Sequence, residues 1–399
     1  MRLEVKNVLV LTSCQALAQT GTVMMITVAG LAGYMLATDK SLATLPVSFL
    51  MVGTMITTIP ASLLMGRVGR RPGFWLGTLL GALGASIAVA ALLSGSFWTF
   101  CIAHTFYGAY LGFSQFYRFA AAEAATPEFR SRAISYVLLG PAFAAVVGPH
   151  FAAFTKDLYA GGAFVATYSV VVVVSLLGTL VVSLINLPKP VAEKGDQNAR
   201  PLSTVVSQPK FLVAVITAAI AYGVMNLAMT ATPIAMQEHH HGITETAFVI
   251  QWHVLGMFLP SFFTGNLIQR FGAPRIMLVG VAFLLSHVAI ALSGVEFLHF
   301  VSALTLLGVG WNFAYLGGTN LITETYRPSE KAWAQGINDF TVFITVVIAS
   351  FASGALLHLY GWVGVNLLAL PLLIAVGAML VVYLVRYRPE PAPASAART

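Results

Sequence analysis

Apolar runs long enough to cross a bilayer recur along the whole chain, and each ends at a short cluster of charge, glycine or proline. The pattern predicts about twelve helices, near 7–33, 42–65, 73–94, 97–122, 131–154, 164–187, 210–236, 245–268, 275–294, 297–322, 333–357 and 362–386. The longest polar stretch runs from Pro188 to Lys210, between the sixth and seventh runs, with Lys189, Glu193, Lys194, Asp196, Gln197, Asn198 and Arg200. It divides the chain into an N-terminal six-helix half (1–187), a linker (188–209), a C-terminal six-helix half (210–386) and a tail (387–399). The first apolar run is too long for the core of a secretory signal and lacks a small-residue cleavage site, so it is expected to stay as a helix.

Composition agrees with an all-α membrane protein: 58% of residues are hydrophobic, 9% are charged and the mean hydropathy is +0.84. A net charge of +7 would suggest nucleic acid in a soluble protein, but its placement gives another reason. One set of connections collects Arg2, Lys6, Arg67, Arg70, Arg71, Arg130, Arg132, Arg200, Arg270, Arg275, Arg327 and Lys331, whereas the opposite set holds only Lys40 and Lys156. That asymmetry predicts both termini in the cytoplasm of a cell whose inner membrane the chain spans, with no nucleic-acid partner. Cys14 and Cys101 both lie within apolar runs and suggest neither a disulfide framework nor a thiolate metal site.

The two halves share punctuation. Gly66-Arg67-Val68-Gly69-Arg70-Arg71 follows the second run, and Gln269-Arg270-Phe271-Gly272-Ala273-Pro274-Arg275 follows the eighth, 203 positions later. Glu123, Pro127 and Arg130 follow the fourth run; Glu324, Pro328 and Lys331 follow the tenth, 201 positions later. Such offsets mark an internal duplication. These residues resemble the major facilitator superfamily, whose fold sets two six-helix halves around a central cavity. Its loop signature G-x-L-x-D-R-x-G-R-R is matched by Gly265-x-Leu267-x-Gln269-Arg270-Phe271-Gly272, with Gln in the acidic position. In the N-terminal copy Ser62 takes the leading glycine position and Gly66 the acidic one. The resemblance implies gating by Arg67, Arg70, Glu123 and Arg130, and by Arg270, Glu324 and Lys331 in the second copy. Gly140-Pro141 and Gly148-Pro149 resemble the superfamily's Gly-Pro helix motif, where small residues permit close packing.

Ionisable groups within the bilayer are costly and therefore the first candidates for function. Asp339 is the deepest carboxylate, about two turns into its helix, and Arg118 lies near the end of the fourth run beside Glu123. Both are expected to serve structure or gating. His104, His253 and His287 fall inside helices, where an imidazole can hydrogen-bond, bind metal or relay a proton. The pairs Met225-x-x-x-Met229 and His253-x-x-x-Met257 each occupy one helical face at similar depth, a soft set suited to Cu(I). His239-His240-His241 could capture metal at the outer surface or form a solvated turn.

With Gln251 to Phe262 and the run Gly310-Trp311-Asn312-Phe313, these pairs resemble the CcoA-like transporters of proteobacteria, which have copper-importing and riboflavin-importing branches. The resemblance implies solute uptake by alternating access. The copper branch would use Met225, Met229, His253 and Met257, although the transport path lacks the thiols that copper importers carry. A flavin requires ring stacking and hydrogen bonds to its polar edge, for which Asn226, Gln251, Trp252, Trp311, Asn312 and Tyr315 are candidates, with Gln115, Tyr117, Asn320 and Asn338 beside them. Riboflavin is the preferred substrate of this reading and copper the alternative; a transporter-like sensor or assembly factor comes third. No nucleophile–base pair or carboxylate dyad suggests an enzyme. No resident cofactor is expected, and the partners are a small solute and the lipid bilayer around a monomer.

Overall fold

The computed structural model describes residues 3–39, 42, 45–160, 162–187 and 200–387. Residues 188–199 of the linker and 388–399 of the tail lie outside the described residues. Among the described residues every regular element is helical: α1 (Leu3–Leu36), α2 (Leu45–Val68), α3 (Arg70–Ser94), α4 (Phe97–Ser114), α5 (Tyr117–Ala124), α6 (Arg130–Val137), α7 (Gly140–Thr155), α8 (Val165–Val182), α9 (Leu202–Val206), α10 (Pro209–Glu238), α11 (Ile243–Phe258), α12 (Ser261–Phe271), α13 (Ala273–Ser293), α14 (Phe297–Ile322) and α15 (Lys331–Arg386). Eleven segments of these are long and apolar enough to cross a membrane, and α4 with α5 supplies one more expected span.

Several expected helices are broken where the backbone loses a donor or tightens. Pro260 separates α11 from α12, and Pro141 is the second residue of α7, just after α6; proline has no N–H for the helical ladder. Between α4 and α5 the Phe116 N–H turns to the Phe113 carbonyl three residues back, a local 3₁₀ tightening. The eleventh and twelfth expected spans run on as one element, α15, divided at Gly361 with φ 63° and ψ −173°. That angle is free for glycine and strained for other residues, so the direction changes without a loop.

The duplication is visible in the backbone. Gly69 between α2 and α3 has φ 96°, and Gly272 between α12 and α13 has φ 85°; both end one helix and begin the next within a single residue. Most helix packing is within each half. In the first, α4 packs on α2 and α3, and α1 packs on α7 and α8; in the second, α14 packs on α10, α11 and α13. The halves meet chiefly along α2 with α15 and α6 with α12.

Candidate functional site

Ala332, Gln335, Gly336 and Asp339 recur on α15 at spacings of three and four residues, placing them on one helical face. That face meets α2 and α5. Ser62 Oγ donates to the Ala332 carbonyl at 2.6 Å, and a Cβ on Gly66 would lie 3.0 Å from the Ala332 Cβ. Gly66 stands where the superfamily signature has an acid, and the helices touch closely there. The second copy makes the related contact on α6. A Cβ on Gly265 would lie 2.6 Å from the Ser131 carbonyl, and Gln269 Nε2 donates to the Glu128 carbonyl at 2.6 Å. Both seams lie at the arginine-rich end of the bundle.

Charge reinforces the α2–α15 seam. The buried Arg70 guanidinium forks onto Glu123, Nη2 to Oε1 at 2.5 Å and Nε to Oε2 at 3.2 Å, and also donates to Gln335 Oε1 at 2.5 Å. Lys331 Nζ reaches Glu123 Oε2 at 3.2 Å, and Gln335 Nε2 donates to the Tyr326 hydroxyl at 2.6 Å. Three residues expected to gate, Arg70, Glu123 and Lys331, are thus joined in one network across the halves. The others go elsewhere: Glu324 pairs with Lys210 at 2.9 Å, Arg270 lies over the Phe271 ring, Arg67 is exposed and Arg130 is half-buried.

One turn deeper, Arg118 on α5 donates from Nη2 to Asp339 and from Nη1 to the Tyr315 hydroxyl. Both members of this ion pair are buried. Asn338 Nδ2 donates to Asp339 Oδ1 at 2.8 Å, and Gln115 Oε1 accepts from Arg118 at 3.4 Å. Aromatic rings continue the cluster. Arg118 lies 4.7 Å over the Tyr315 ring, Tyr315 stacks on Trp311 at 4.9 Å and 18°, and Tyr222 and Phe258 meet Trp311 edge-on. Arg118 and Asp339 stand out singly in the sequence, whereas Tyr222, Gln335 and Phe258 do not. The spacing of Tyr222 before Asn226, and of Gln335 before Asp339, carried the signal: one turn in each case.

The remaining expected residues disperse. The Asn312 amide is committed within its own half, with Nδ2 to the Met257 carbonyl and Ser261 Oγ and Oδ1 to Thr264 Oγ1, each at 2.7–2.8 Å. Asn226 donates to the Val346 carbonyl at 3.3 Å, Asn320 to the Leu316 carbonyl, and Gln251 and Trp252 are exposed, Trp252 beside Phe248. Tyr117 is buried against Phe74. His104 uses both ring nitrogens, on the Phe100 carbonyl and the Tyr168 hydroxyl. His253 and His287 place Nδ1 on the neighbouring carbonyls of Leu304 and Ala303. Met225 is buried and Met229 half-buried, and none of the described hydrogen bonds or ring contacts links them with His253 and Met257. His241 is tied to the Val295 carbonyl at 2.8 Å and lies 3.5 Å from Glu245.

Where the linker becomes described it grips the second half. Arg200 forks onto Glu330 at 2.9 and 2.6 Å, and its Nη2 and Gln208 Nε2 both donate to the Thr325 carbonyl. The Arg200 hydrogen bond holds the Glu330 carboxyl down at about 2, against an ordinary value of 4.5.

The sequence profile of the Major Facilitator Superfamily matches residues 9–250 and 214–399. The chain belongs to that superfamily. It is a multi-pass membrane transporter, and its relatives agree. The chain is 40% identical over 396 residues, 98% of each chain, to the riboflavin transporter RfnT of Brucella anthropi. It is 28% identical to the uncharacterized MFS-type transporter YddS of Bacillus subtilis, over 88% of this chain and 84% of that one. Among solved structures, the transporter FucP in the outward conformation superposes with a TM-score of 0.79 at 15% identity, covering 98% of this chain and 100% of that one. A bacterial homologue of the iron transporter ferroportin gives 0.73 at 13% identity, over 96% of this chain and 99% of that one.

Proposed function

We propose that this transporter imports riboflavin across a bacterial inner membrane by alternating access, with both termini in the cytoplasm. The observation that carries the reading is the near full-length 40% identity to a riboflavin transporter. The aromatic group of Tyr222, Phe258, Trp311 and Tyr315 beside a buried ion pair supports it, because a flavin needs a ring surface next to hydrogen-bonding groups. Arginine and lysine placement supports the orientation, in which the sealed, basic end is cytoplasmic and the conformation described is closed toward the cytoplasm. Arg70, Glu123 and Lys331 then act as the inner gate, and Arg118 with Asp339 lies between that gate and the substrate.

Copper is the second reading, and it would draw on His253 of α11, whose Nδ1 meets the Leu304 carbonyl of α14 and whose Nε2 has no hydrogen-bond partner. Uptake of labelled riboflavin, with and without excess copper, in a strain unable to make or import flavin tests the proposal. Saturable uptake indifferent to copper is expected. No uptake above the empty strain, or accumulation of copper in its place, overturns it.

A further inference from the structure

Four polar side-chain atoms along one chain of contacts are buried without a hydrogen-bond partner: Arg118 Nε, Trp311 Nε1, Asn338 Oδ1 and Asp339 Oδ2. The contacts that join them are continuous. Trp311 stacks on Tyr315, the Tyr315 hydroxyl accepts from Arg118, Arg118 pairs with Asp339, and Asn338 donates to Asp339. Folded chains satisfy nearly all such atoms, and each exception calls for a reason. Here two planar N–H donors and two carbonyl-type acceptors are left over together, at the place where the halves meet beside an aromatic wall.

We propose that these residues read the imide edge of a flavin ring, Asp339 and Asn338 accepting from the imide N–H while Arg118 and Trp311 donate to its carbonyls. The inference rests on the riboflavin reading above and assigns its specificity. An imide presents carbonyl, N–H and carbonyl in one plane, the complement of a donor, acceptor and donor set. Ribityl hydroxyls rotate and both donate and accept, so they have no need of so fixed an arrangement. The match also gives the ligand a role in gating. The direct Arg118–Asp339 bond ties the two halves together, and an imide offers each of them a replacement partner, so the halves can part without stranding a buried charge.

Competition with 3-methylriboflavin tests the assignment, because it keeps the ring and the ribityl chain but lacks the imide N–H. It is expected to inhibit riboflavin uptake about 100-fold or more weakly than riboflavin itself, since a site built to pair an N–H discriminates strongly against its loss. Trp311→Phe keeps a stacking ring but removes the donor, and Asn338→Ala removes an acceptor. Asn338→Ala is expected to shrink the preference for riboflavin over 3-methylriboflavin, a ratio that a loss of folded protein does not move, whereas Trp311→Phe, whose donor faces a carbonyl that both flavins carry, is expected to weaken both alike and leave the ratio unchanged. Equal inhibition by the two flavins, or an unchanged ratio in Asn338→Ala, overturns the assignment while leaving riboflavin transport standing. Absence of riboflavin uptake by the wild-type chain overturns the transport reading itself, and the assignment with it.

Discussion

Arg118 on α5 and Asp339 on α15 form an ion pair across the boundary between the halves, with side-chain exposures of 2% and 0%. Removing one member leaves a buried charge alone, typically at a cost of about 3–5 kcal/mol, whereas replacing both by apolar residues is often neutral. Asp339→Leu is therefore expected to lower the thermal stability of the detergent-purified transporter, and Arg118→Leu with Asp339→Leu to recover most of it. Uptake is expected to be lost in both. Normal uptake by the double variant would show that the pair serves folding alone.

The α2–α15 seam offers a direct test of gating. A Cβ at position 66 would lie 3.0 Å from that of Ala332, slightly inside the usual disulfide separation. Both native cysteines are buried, so Gly66→Cys with Ala332→Cys is expected to cross-link on mild oxidation without their interference. Cross-linking should cut uptake at least about tenfold, since alternating access requires this end to open, and reductant should restore it. Full transport by the cross-linked protein would mean that the seam does not part.

The linker clasp has a defined pH window. Because its folded value of about 2 lies below the ordinary 4.5, Glu330 contributes stability that is fully present above 4.5 and lost as pH falls through about 2. Glu330→Gln is expected to lower stability at pH 7 but to show little difference from wild type at pH 2, measured by unfolding across pH. Between pH 5 and 8 the clasp should contribute no pH dependence to uptake; a change in the shape of that profile in Glu330→Gln would contradict it.

Replacing Met225 and Met229 by leucine conserves volume and usually costs less than about 1.5 kcal/mol in a core. Riboflavin uptake in the double variant is expected within about twofold of wild type. A collapse of uptake together with a loss of copper accumulation would revive the metal reading.

Much of the frame was legible from local pattern. The hydropathy runs, the offsets of 201 and 203 and the bias of arginine and lysine gave a duplicated twelve-span chain, because membrane insertion depends on segment length and charge that a single sequence displays. The kink at Gly361 and the break at Gln115 and Phe116 were not legible, since they turn on one or two backbone angles. The site was legible only in part. Trp311 and Tyr315 stood out by type, yet Asn312 between them proved committed to Ser261, Thr264 and Met257.

Sequence alone determined that residues such as Arg118, Asp339 and His253 sit in apolar helices, where each needs a partner. Which partner each finds was decided by the tertiary structure. The close passage of α2 and α15 at Gly66 and Gly336 brings Arg118 to Asp339 across 221 positions of chain, while His253 turns to a carbonyl of α14. Helix crossings of this kind depend on small residues far apart in the sequence, and no local spacing records which helix will lie opposite.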